Sequence, residues 1–186
     1  MDAARLSPLF AATALLLAVP LVAMQVTDEV AWTLSDFVIA GALVFGTGVL
    51  FELAWRRAGT VAYRAAAGVA LGAAFLLVWG ILAVGVIGAS GDRADLMYAG
   101  VFAVGLVGAL LARFRPRGMA WAMAATAAAQ VAVGGVALIA GMVPAYNSAY
   151  EILGLSGFFA ALWLLSAWLF RRAARDRPAG GGAATA

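Results

Sequence analysis

Two side chains in this sequence stand where polar chemistry is expensive. Glu52, in "VLFELAWRR", is the one carboxylate inside an apolar block, and Gln130, in "TAAAQVAVGG", falls near the middle of another. An ionisable group at membrane depth is by default a candidate for moving protons or cations. Glu52 also precedes Arg56 by four residues, the favourable order for an ion pair along one helix face. It therefore has two readings, a local partner for Arg56 and a proton or cation site. An unpaired amide costs several kcal/mol in hydrocarbon. Gln130 accordingly either bonds to a neighbouring helix or lines a polar cavity. Thr47 and Trp79, also near mid-block, read as packing residues.

A second constellation is basic. "ARFRPRGMA" sets Arg113, Arg115 and Arg117 around Pro116, and Arg171 and Arg172 close the last apolar block. Clustered guanidinium groups beside a bilayer can hold the phosphate of an anionic lipid head group. The plainer reading is topological: the arginines anchor helix ends and Pro116 interrupts the helix between them. The acids Asp28, Glu29, Asp36, Asp92, Asp95 and Glu151 could offer oxygen to Ca²⁺ or Mg²⁺, but they match no EF-hand loop and read as helix caps.

The absent residue types narrow the chemistry further. The chain has no Cys and no His, and all 12 of its basic residues are Arg. That excludes a disulfide, a thiol nucleophile, an imidazole metal ligand, a Ser-His-Asp triad and a lysine Schiff base. No cofactor or metal is implied, and no enzymatic activity. The net charge of +3 does not point to nucleic acid, because the arginines sit at segment ends without aromatic interleaving.

These residues must be positioned by membrane helices. The chain is 66% hydrophobic and 11% charged over 186 residues, too apolar for a soluble domain. Apolar blocks at 7–25, 37–55, 62–89, 96–112, 119–143 and 152–170 give six spans, each near the roughly 20 residues needed to cross the hydrocarbon. The expectation is an all-α polytopic bundle in which 1–175 form a single six-helix transmembrane domain. The Gly/Ala-rich stretch 176–186 reads as a disordered cytoplasmic tail. Eleven of the 12 arginines fall on one side of this topology and only Arg93 on the other, so the positive-inside rule puts both termini in the cytoplasm. Trp32, Tyr98, Tyr146 and Tyr150 fall at the opposite boundary, where an aromatic belt is expected. The first block, "RLSPLFAATALLLAVPLVAM", has some character of a signal peptide, but the topology needs it as a retained helix.

The pattern D-x-x-x-A-G-x-x-x-x-G occurs from Asp36 and again from Asp95, and Glu151 to Arg171–Arg172 repeats the spacing of Asp36 to Arg56–Arg57. This suggests three repeated helical hairpins, 1–58, 59–117 and 118–175, related by rotation about the membrane normal. The glycines, among them the Gly68–Gly72 pair, suit close helix packing within the bundle or between copies.

"AMQVTDEVAWTLSDF", "GTGVLFEL", "LMYAGV" and "ARFRPRGMA" resemble stretches of a group of small, uncharacterised polytopic bacterial inner-membrane proteins. The resemblance implies an inner-membrane location and no particular activity. The expected function is that of a structural or accessory membrane subunit or scaffold, partnered by the lipid bilayer and by a membrane protein or further copies of itself. The alternative is a small permease or channel using Glu52 and Gln130.

Overall fold

A computed structural model of the chain describes residues 3–84, 86–87, 93–142 and 148–176. Six long helices account for most of them: α1 (Ala3–Val26), α2 (Leu34–Arg57), α3 (Val61–Ala83), α4 (Met97–Leu111), α5 (Pro116–Ile139) and α6 (Ala149–Arg175). A single 3₁₀ turn, Arg93–Leu96, leads into α4, and there is no strand among the described residues. All six are long and apolar enough to cross a membrane, the fourth when counted from Ala94. The chain is an all-helical, multi-pass membrane protein. The expected tail lies, apart from Asp176, outside the described residues.

Local chemistry sets most helix ends. The Thr33 side chain and Asp36 cap α2 reciprocally, Thr33 N–H donating to Asp36 Oδ2 at 2.7 Å. Thr60 Oγ1 accepts from Tyr63 N–H at the start of α3. Ser148 and Glu151 form a full capping box on α6. Pro116 occupies the first turn of α5, where its missing N–H has no cost. The helix end in "ARFRP" is less ordinary. Arg113 N–H bonds to Leu110 O, and Phe114 N–H to Ala109 O, the paired bonds of a Schellman motif. Arg113 (φ 48°) and Phe114 (φ 57°) are both left-handed, a conformation that costs a non-glycine residue roughly 1–2 kcal/mol. The Tyr63 hydroxyl, reaching over from α3, donates to Phe114 O at 2.9 Å and holds the turn.

One boundary departs from the sequence reading. The third span was expected to run to residue 89, yet α3 stops at Ala83. The Asp95 carboxylate captures the N–H groups of Val86 and Ile87, so the chain leaves the helix there despite its apolar sequence.

The chain divides into two compact units, Met1–Arg56 and Arg57–Ala186. In the first unit, Phe10 of α1 meets Phe45 of α2 with ring centroids 4.5 Å apart. Leu9 and Leu17 lie against Gly48 and Gly41, which lack the Cβ that would crowd them. Pro20 lies within α1 and removes one backbone donor from its ladder.

In the second unit α6 packs against both α3 and α5, and α5 also packs against α4. The helices are therefore arranged α3–α6–α5–α4. Successive helices α5 and α6 form a tight pair, but α3 and α4 are not a close-packed pair. The two helix pairs of this unit are thus packed unequally. Ser166 Oγ donates to Ala66 O at 2.9 Å and ties α6 to α3. Tyr63 meets Phe170 edge-on at 5.0 Å one turn away. Between α4 and α5 the contact is nearly backbone to backbone, with Gly108 against Ala122 and Gly105 against Thr126.

Candidate functional site

Glu52 and Gln130 lie in different units. Glu52 Oε1 accepts from Arg56 Nε at 2.9 Å along its own helix, and both side chains are partly exposed. This is the local pairing that the spacing allows. Gln130 lies in the second unit with no exposed surface, and neither its amide nitrogen nor its oxygen has a hydrogen-bond partner. The bond to a neighbouring helix anticipated for it is not made.

Arg113, Arg115, Arg117, Arg171 and Arg172 are all exposed. The antiparallel packing brings the end of α4, the start of α5 and the end of α6 together. Arg171 lies 5.2 Å above the ring of Trp121 on α5, and Arg172 5.7 Å above Trp168 on its own helix. These cation–π contacts orient two guanidinium groups without neutralising them.

Other buried polar residues of this unit were less visible in the sequence. Asp95, Tyr98, Ser156 and Trp163 are 4%, 0%, 3% and 4% exposed. Asp95 sits in the 3₁₀ turn before α4. Its Oδ1 accepts from Ile87 N–H at 2.9 Å, and both its oxygens accept from Val86 N–H at 3.2 Å. Tyr98, one turn later, was assigned by sequence to a boundary belt; its ring is instead wholly buried, because α4 turns it into the bundle. Exposed Tyr150 fits the belt, and Tyr146 lies outside the described residues. The Tyr98 hydroxyl lies beside Ser156 of α6, close enough to interact but without good hydrogen-bond geometry. Ser156 Oγ in turn presses against Gly134 of α5, where a Cβ would collide with it.

Helix register connects these groups. Gly108 opposite Ala122 and Gly105 opposite Thr126 fix α4 against α5. Continuing that register toward the acid-bearing end brings Val101 level with Gln130, and Tyr98 level with Gly134. Gln130 and Gly134 are four apart and share a face of α5. Ser156 and Trp163 are seven apart and share a face of α6. Trp163 Nε1, like Gln130, has no partner. By register, these buried polar groups line up as a seam along the apolar helices, from Tyr98 and Ser156 past Gln130 to Trp163.

Chemically the seam offers hydroxyl, amide and indole groups. They donate and accept hydrogen bonds but carry no charge. The nearby Asp95 carboxylate is committed to two backbone N–H groups. Ser156 has no imidazole to activate it, since the chain contains none. The arrangement can offer hydrogen bonds. A sequence signal existed in the four- and seven-residue spacings, but serine beside glycine in "LGLSGF" reads equally as a close-packing residue.

In comparisons with known proteins, no family model, no curated protein and no solved structure matches this chain.

Proposed function

We propose that this chain is a structural or accessory subunit of the bacterial inner membrane, acting by packing against lipid and a membrane-protein partner and not by catalysis. The observation that carries this reading is the use made of four acids. Glu52 is spent on Arg56, Asp36 and Glu151 on capping their own helices, and Asp95 on Val86 and Ile87. Each serves local structure. The outward surface is broadly apolar, with Leu15, Val19, Leu106, Leu111, Ile139 and Leu164 among its exposed side chains.

The inner-membrane location and cytoplasmic termini rest on the arginine partition and on the sequence resemblance. In that orientation Arg113, Arg115, Arg117, Arg171 and Arg172 meet the anionic head groups of the cytoplasmic leaflet, with Trp121 and Trp168 at the interface. Reporter fusions test the topology. Fusions after residues 30, 93 and 147 are expected to report the periplasm, and those after 60, 116 and 178 the cytoplasm. A cytoplasmic signal at 93 would overturn the six-span orientation.

A small permease or channel is the second reading, favoured by the unpaired polar seam around Gln130. Purification of the full chain in mild detergent separates the two. Co-purification of a stoichiometric membrane partner supports the accessory role. A homogeneous homo-oligomer with no partner, active in solute uptake by liposomes, supports the permease.

A further inference from the structure

We propose that the seam formed by Tyr98, Ser156, Gln130 and Trp163 is a binding site for water-sized, uncharged molecules that both donate and accept hydrogen bonds. The inference holds under either functional reading, because it concerns the interior of the second unit alone.

Five polar atoms along the seam are without a partner. Tyr98 Oη, Ser156 Oγ, Gln130 Nε2, Gln130 Oε1 and Trp163 Nε1 are all buried, and none makes a hydrogen bond within the protein. Buried polar groups in folded proteins nearly always have a partner, supplied by protein or by ordered water. The penalty for leaving one unmet is greatest in a helix bundle surrounded by hydrocarbon. Solvent is not outside to help, since these side chains are 4% exposed or less. A better bond between Tyr98 and Ser156 would not close the account. Each hydroxyl has one donor and two acceptor sites, and the Gln130 amide has two of each.

The groups are also arranged as a site. They come from three helices and occupy successive levels of one bundle. Gly134 contributes by absence, since a Cβ there would displace the Ser156 hydroxyl from its position. Elsewhere in the same unit comparable groups are satisfied: Thr126 Oγ1 donates to Ala122 O, Ser166 Oγ to Ala66 O, and Tyr63 Oη to Phe114 O, each at 2.9 Å. Among the described residues, the unpaired polar atoms of uncharged side chains are thus concentrated in one seam.

The ligand class follows from the lining. An anion would find no cationic side chain among these four residues. A metal cation prefers several carboxylate or carbonyl oxygens, and Gln130 supplies one. A neutral molecule can accept from the Trp163 indole and the Gln130 amide, and exchange bonds with both hydroxyls. Complete burial limits it to about the size of water.

Hydroxyl-radical labelling of the full chain in nanodiscs, read by mass spectrometry, tests this directly, because radicals form where water is. Tyr98 and Trp163 are expected to oxidise at rates comparable with exposed Tyr150 and Trp121. Tyr63, buried with its hydroxyl bonded, and Phe170 are the protected controls. Protection of Tyr98 and Trp163 equal to that of Tyr63 and Phe170 would overturn the proposal. Gln130→Leu should bring a loss of labelling at Tyr98 and Trp163, and unchanged labelling in a folded variant would also overturn it. If that variant does not fold, the wild-type rates decide alone. Native mass spectrometry separates the two sources: a discrete adduct lost in Gln130→Leu marks a small neutral solute, and rapid labelling without an adduct marks water.

Discussion

Replacing Gly108 with alanine probes the closest helix contact in the second unit. A Cβ built at Gly108 falls 2.8 Å from Ala122 Cβ and 3.2 Å from Ala122 Cα. Carbon atoms rest at about 3.5–4.0 Å, so the nearer contact is short by roughly 1 Å. Neither opposing atom is the end of a flexible side chain, and relief requires α4 and α5 to separate. Such overpacking costs about 1–3 kcal/mol, while glycine-to-alanine in a helix returns up to about 1 kcal/mol. The expected net loss is about 1–2 kcal/mol. Gly100 on the same helix is the internal control, since nothing lies within 4 Å of its Cβ position. Gly100→Ala carries only the favourable propensity term and should be neutral or slightly stabilising. Reversible unfolding in mixed micelles, titrated with SDS and followed by circular dichroism, measures both. If Gly108→Ala is as stable as Gly100→Ala, the close approach of α4 to α5 is refuted.

Three further substitutions test other contacts. Asp95→Asn removes charge-assisted bonds to Val86 and Ile87, each typically worth about 1.5–3 kcal/mol, and should accelerate hydrogen exchange at those two amides; unchanged exchange would count against the role assigned to Asp95. Tyr63→Phe deletes the hydroxyl that holds the left-handed Arg113–Phe114 turn and should lower stability by about 1 kcal/mol in the same unfolding assay. Glu52→Gln breaks a partly exposed ion pair worth about 0.3–0.5 kcal/mol, so its unfolding curve should nearly overlay that of the parent, and a large loss would show that Glu52 does more than pair with Arg56.

Much of the secondary structure was legible from the residues because its causes are local. Long apolar runs, Thr60, the Thr33–Asp36 and Ser148–Glu151 pairs, and Pro116 mark where helices begin, and each acts within a few residues of itself. Glu52 and Arg56 belong to the same class, since four residues on a helix are neighbours whatever surrounds them. The end of α3 is the instructive exception. Residues 84–89 read as a continuing apolar span, but Asp95, later in the chain, removes Val86 and Ile87 from the helix.

Helix pairing depended on tertiary structure alone, for a reason peculiar to membrane chains. A soluble helix marks its buried face with apolar residues, whereas these helices are apolar on nearly every side and carry no such mark. Gly100 and Gly108 are indistinguishable in sequence, yet one faces open space and the other meets Ala122. Tyr98 looked like an interfacial aromatic, and Ser156 did not stand out, until the register of α4, α5 and α6 set both near the level of Gln130. The residues by themselves determined that the chain crosses a membrane in helices and where its charges gather. Only the packing of those helices decided which polar groups share an interior, because that depends on contacts between residues 20 to 60 positions apart, beyond the reach of any local pattern.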